Sequence, residues 1–131
     1  MTCLGVDIGG SGIKAALVDT DEGDFVGERH RIPTPASLLP QDVLDGVVEC
    51  VHTFEGYSGP IGIGFPAVVV DGAPQSPFTA HHVPGWIGFP VARLLSERLQ
   101  NPVTMLNDAD AAGIAEMRFG HGRGEKGVVL I

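Results

Sequence analysis

The chain is poor in cysteine, in aromatic residues and in positive charge, and it has no long apolar run. Cys3 and Cys50 lack the spacing of a metal site, so reduced thiols in a cytoplasmic protein are the simplest expectation. Eight Lys and Arg stand against 16 Asp and Glu, and the net charge of -8 opposes a general nucleic-acid-binding role. The apolar runs fall far short of the roughly 18 residues that mark a spanning helix, so no membrane role is expected. Met1 onwards shows neither the basic start nor the long apolar stretch of a secretory leader. Internal repeats and low-complexity tails are also lacking.

Glycine and proline, in contrast, are plentiful and spread along the chain, where they punctuate a fold rather than mark disorder. At 131 residues the chain is long enough for one domain with a real core. Leu4–Asp7, Ile13–Asp19 and Phe25–Ile32 read as an antiparallel meander, the third strand more polar and suited to an edge. Arg31–Pro40, with three prolines, reads either as an ordered connection or as a mobile loop. Apolar residues at 43, 44, 47, 48, 51 and 54 have helical spacing. Ile61–Phe65 reads as a buried strand, and residues 71 to 88 as loop. A helix opening at Pro90 and running to about Gln100, a strand at Val103–Leu106 and a helix from Asp108 to Phe119 complete a mixed α/β layer.

Two stretches carry chemistry. Asp7-Ile8-Gly9-Gly10-Ser11-Gly12-Ile13-Lys14 sits between two apolar strand patterns. Glycines there let backbone approach a ligand, and successive N–H groups form an anion-binding concavity. Asp7 at the strand end suits a hydrated Mg²⁺, and Lys14 offers a point charge to a phosphate. A plain hairpin turn with a solvated Asp and Lys fits the same residues. The pattern lacks the Gly-Lys-Ser/Thr of a Walker loop, and it leads into a strand rather than the helix of a Rossmann fingerprint. The second stretch, Asn107-Asp108-Ala109-Asp110, lies at a strand-to-helix junction. An N-cap explains one Asp, but not the preceding Asn or the second Asp. Such junctions, at strand carboxyl ends, are a usual place for ligand sites.

The first stretch resembles the phosphate motif of the actin-like sugar kinases, and more narrowly that of the ROK family of sugar kinases and repressors, with Ser11 where many members carry threonine. The second resembles that family's Asn-Asp-Ala-(Asn/Asp) motif, and NDADAAG followed by Ala115-Glu116 is most like its polyphosphate glucokinase branch. Gly64-Phe65-Pro66-Ala67 is similar to the family's Gly-x-Pro-Gly loop, with Ala67 in place of glycine. His82-Val83-Pro84-Gly85-Trp86 is similar to an Asn-Leu-Pro-Gly-Trp segment, with His82 at the Asn position and Trp86 expected to pack rather than stack on a sugar.

The resemblance implies an α/β fold: the N-terminal lobe of an actin-like (ribonuclease H-like) ATPase, a mixed sheet with flanking helices. Residues 1–126 would form that lobe and 127–131 the first strand of a second, absent lobe. It also implies glucokinase activity, moving a phosphoryl group from polyphosphate or ATP to the 6-hydroxyl of glucose. Asp7, Gly9, Gly10, Ser11, Gly12 and Lys14 would bind phosphate, with Mg²⁺ at Asp7. Pro66, Ala67, Asn107 and Asp108 would bind the sugar, and Asp108 would be the catalytic base. Asp110 would support these residues or cap the helix, and Glu116 would be structural. The family's zinc-binding Cys cluster has no counterpart here. Arg118, Arg123 and Lys126 read as a solvated loop or as part of a track for a polyanion. The isolated chain is expected to be inactive and to self-associate or form a homo-oligomer. The rival reading is a non-catalytic sugar-binding or assembly module. A ROK repressor fits less well, because only six residues precede Asp7, too few for a DNA-binding helix pair.

Overall fold

A computed structural model describes residues 1–78 and 83–108. Three strands come first: β1 (Thr2–Ile8), β2 (Gly12–Asp19) and β3 (Asp24–Pro33). They form the expected antiparallel meander. Helix α1 (Pro40–His52) leads to β4 (Ile61–Phe65), and a small hairpin, β5 (Val69–Val70) and β6 (Ala73–Pro74), follows. Helix α2 (Val91–Leu99) then leads to β7 (Val103–Asn107). The five long strands lie in the order β3-β2-β1-β4-β7, with β4 parallel to β1 and β7 parallel to β4.

The alternation of side chains decides which face of this sheet is covered. Leu4, Val6 and Ile8 of β1 and Ile61, Ile63 and Phe65 of β4 are all buried. They pack against Val43, Leu44, Val47, Cys50 and Val51 of α1 and Val91 and Leu95 of α2. The intervening positions, Gly5, Asp7, Gly62 and Gly64, face the other way and are half-buried or exposed. Both described helices therefore lie on one face of the sheet.

Local chemistry accounts for the helix boundaries. Pro40 occupies the first turn of α1, where its absent N–H costs nothing, and Asp42 sits at the positive end of the helix dipole. Pro90 is the N-cap of α2 rather than a residue inside it, and Gln100 closes the helix in the left-handed region, its N–H donating to Ser96 O at 2.9 Å. Val91 and Leu95 of α2 are buried, while Leu94 and Leu99 are only half-buried. The hairpin spans 69–74, so its turn and β6 fall at the start of the segment expected to be loop. Asp71 and Gly72 both have positive φ, as a two-residue hairpin turn of the type that favours Asp-Gly demands.

A cluster of rings pins the long connection between β4 and α2. Phe65, Phe78 and Trp86 are fully buried, with ring centroids 4.6–5.2 Å apart. Trp86 packs as the sequence suggests, and its indole Nε1 donates to Leu38 O at 2.8 Å. Truncating Phe65 to Ala should cost about 3–5 kcal/mol, the usual range for emptying a buried phenylalanine site. Urea unfolding would measure it, and a loss under about 1 kcal/mol would show that the cluster does not organise the core.

Candidate active site

The parallel ladders bring the two motifs to one level. Asp7 of β1 pairs with Gly64 of β4, and Gly64 and Phe65 pair with Leu106 and Asn107 of β7. The carboxyl ends of three parallel strands thus align, at the kind of edge where α/β sheets place their ligands. Asp108, the last described residue, follows β7 in helical conformation. A Cβ built on Gly64 would lie 3.5 Å from Asp7 Oδ1 and 3.8 Å from Asp108 Cβ. The two aspartates, 101 residues apart in sequence, therefore flank the bare backbone of one glycine. Both are exposed, on the sheet face that α1 and α2 leave open.

The glycine turn adjoins them. Gly9 N–H donates to Gly12 O at 2.9 Å, which closes the turn between β1 and β2. The amides of Gly10 and Ser11 take no hydrogen bond among the described residues, and both residues are exposed. Two adjacent outward amides of this kind can accept an anion. Lys14 stands opposite Asp7 on one side and Arg31 of β3 on the other. Asp7, Lys14 and Arg31 line one groove together with Gly64 and Asp108.

Asn107 and the segment Pro66–Ala67 meet directly. Asn107 Nδ2 donates to Ala67 O at 2.7 Å. The Ala67 side chain is buried in the core, so its methyl group packs against apolar neighbours. The amide thus ties the end of β7 to the loop after β4. Removing it leaves a carbonyl without that partner. Asn107→Ala should lower stability by about 1–2 kcal/mol in urea unfolding. A change below about 0.5 kcal/mol, the range of ordinary surface substitutions, would show that the bond does not hold the loop.

Two residues with a clear place beside the turn, Thr34 and Arg31, escape a reading of motifs. Thr34 Oγ1 donates to Gly9 O at 2.6 Å, and Arg31 Nη2 donates to Ser11 O at 3.2 Å. The missed signal is one of register. Gly27–Arg29 of β3 oppose the single residue Ala16, a bulge with Gly27 at φ 77°. An unbroken count from the Asp21 turn sets Arg31 opposite Gly12, whereas the bulge sets Pro33 there and carries Thr34 to the turn.

The thiols take no part in this site. Burial pushes both Cys3 and Cys50 up from the usual thiol range, which makes them weak nucleophiles, and neither is in a disulfide. Among the described residues no group of three His, Cys, Asp or Glu is placed to hold a metal. The expectations for His82, Asp110, Glu116, Arg118, Arg123, Lys126, the helix beyond Asp108 and the strand at 127–131 lie outside the described residues.

These features define the N-terminal lobe of the actin-like fold: a mixed sheet, flanking helices and a glycine turn after the first strand. The ROK family model matches residues 3–131, and the chain belongs to the ROK family. It is 40% identical over 129 residues to the polyphosphate glucokinase of Mycobacterium tuberculosis (strain ATCC 25618 / H37Rv), covering 98% of this chain and 48% of that protein. The chain thus spans about half the length of these curated relatives. The crystal structure of the inorganic polyphosphate/ATP-glucomannokinase of Arthrobacter sp. strain KM superposes with a TM-score of 0.87 at 39% identity, over 96% of this chain and 51% of that one. The ROK family glucokinase of Streptomyces griseus, in complex with glucose and AMPPNP, gives a TM-score of 0.76 at 31% identity, over 95% of this chain and 38% of that one.

Proposed function

We propose that the chain is the phosphate- and sugar-binding half of a glucokinase that moves a phosphoryl group from polyphosphate or ATP to the 6-hydroxyl of glucose. The observation that carries this reading is the convergence of Asp7 and Asp108 on Gly64, beside a turn with two outward amides. The activities of two relatives, a polyphosphate glucokinase and a polyphosphate/ATP-glucomannokinase, support the same reaction and donors.

In this reading Asp108 accepts the proton from the 6-hydroxyl as that oxygen attacks the terminal phosphorus, and the phosphorus–oxygen bond to the donor breaks. A carboxylate that orients the nucleophile is a common requirement of phosphoryl transfer. Asn107, with Pro66 and Ala67, forms the wall against which the sugar sits, and the Asn107–Ala67 bond keeps that wall in place. The amides of Gly10 and Ser11, with Lys14, face the donor phosphates, while Gly9 and Gly12 keep the turn tight. Asp7 would hold Mg²⁺. A set of oxygen donors without Cys or His suits that ion, which commonly takes one or two carboxylates beside phosphate oxygens. The metal would neutralise charge on the donor phosphates. Unpaired thiols and phosphorylated substrates fit the cytoplasm, and no helix of the described residues is long and apolar enough to cross a membrane.

In the complete two-lobe enzyme, Asp108→Asn should lower kcat by about 10²-fold or more, the usual contribution of a general base. Glucose affinity by calorimetry should stay close to that of the unaltered enzyme, because Asn keeps the shape and one acceptor oxygen. A near-normal kcat would remove Asp108 from the role. The 131-residue chain alone should yield no glucose 6-phosphate with either donor, because closure of two lobes completes such sites and excludes water. Size-exclusion chromatography with light scattering beside a coupled assay would check this, and turnover by a monodisperse monomer would overturn the half-enzyme reading.

A further inference from the structure

The carbonyl groups of the glycine turn are held from one side. Thr34 Oγ1 takes the Gly9 carbonyl at 2.6 Å. Thr34 N–H and Arg31 Nη2 both donate to the Ser11 carbonyl, at 3.3 and 3.2 Å. A Cβ built on Gly12 would lie 2.6–2.7 Å from Nη2, Cζ and Nε of Arg31 alike. Three guanidinium atoms at one distance mean that its plane lies across Gly12, and a side chain at position 12 would have to displace it. Thr34 is the one polar residue in the buried set among the described residues, and it is placed between Pro33 and Pro35. Proline fixes its own φ and restricts the residue before it to extended backbone, so Thr34 is held rigidly.

The consequence is electrostatic. A carbonyl oxygen that swings outward in a tight turn repels an anion, and the freedom to do so comes with glycine. Three donors on the Gly9 and Ser11 oxygens draw both toward the end of β3, and the amides of the exposed Gly10 and Ser11 are left without a hydrogen bond among the described residues. We propose that Thr34 and Arg31 are positioning residues that hold the Gly9–Gly12 turn in its anion-accepting form. The inference rests on the reading of that turn as a phosphate site, and it extends that site to the end of β3. Neither side chain needs to touch the donor for this role.

The probe is magnesium tripolyphosphate, titrated calorimetrically into the full 131-residue chain. Thr34→Val keeps the shape but removes the hydroxyl, and it should weaken binding about tenfold, the equivalent of one lost hydrogen bond. Thr34→Ser restores the hydroxyl and should bind within about twofold of the unaltered chain, while a purely structural role for Thr34 would lower the unfolding midpoint and leave the dissociation constant alone. Arg31→Lys, at an exposed position, keeps the charge but loses the planar contact on Gly12. It should weaken binding about threefold or more, and it carries the test if Thr34→Val does not fold. Unaltered binding in Thr34→Val or Arg31→Lys, or no recovery in Thr34→Ser, would overturn the proposal. Gly10→Val separates the two levels. If it abolishes binding while Thr34→Val and Arg31→Lys bind normally, the turn is a phosphate site and only the positioning role fails. If the unaltered chain does not bind tripolyphosphate, the phosphate reading of the turn fails and this inference goes with it.

Discussion

The parallel register of β1, β4 and β7 is the constraint on which the rest of the molecule depends. It pairs Asp7 with Gly64 and Gly64 with Leu106, and so places Asp108 beside Asp7. Because side chains alternate, a slip of one residue would turn Asp7 toward the helices and Ile8 toward the open face. On β4 the same slip would expose Ile61, Ile63 and Phe65 and bury Gly62 and Gly64. Each such side chain contributes about 1.5–3 kcal/mol by burial, so three of them outweigh any local preference for another pairing. The hydrophobic core thereby sets the geometry of the polar site on the opposite face.

The glycine turn depends on a different interaction, the satisfaction of backbone groups. A turn with glycine at three of four positions has many accessible shapes, and its own sequence does not choose among them. The half-buried Gly9 carbonyl needs a partner, which Thr34 supplies, and Arg31 holds the exposed Ser11 carbonyl from the same side. The bulge at Gly27 is what brings those two residues to the right level. An irregularity on an edge strand thus reaches the glycine turn between β1 and β2.

The segment between β4 and α2 has little regular structure, yet Phe78 and Trp86 within it are fully buried. Their rings rest on Phe65, the last residue of β4, next to Pro66 and Ala67. The loop after β4 is therefore held at two points, by the ring cluster and by the Asn107 amide beside it. Packing and one hydrogen bond do the work that a longer strand or helix does elsewhere.

Much of this was legible in the chain before any coordinates. Short apolar runs marked β1, β2 and β4, helical spacing marked α1, Pro90 marked the start of α2, and the Asp-Ile-Gly-Gly and Asn-Asp motifs identified the family that the comparisons show. These signals are local, and a chain can carry them without knowledge of its partners. The small hairpin at 69–74 was less visible, because two-residue strands have too few positions for a pattern. The reach of the two aspartates to one glycine, the flat stacking of Arg31 on Gly12 and the bond from Thr34 to Gly9 were not visible at all. Each depends on which strands pair and where a bulge shifts the count. Hydrogen-bond ladders and core packing among residues far apart in sequence decide that, and no single segment contains it.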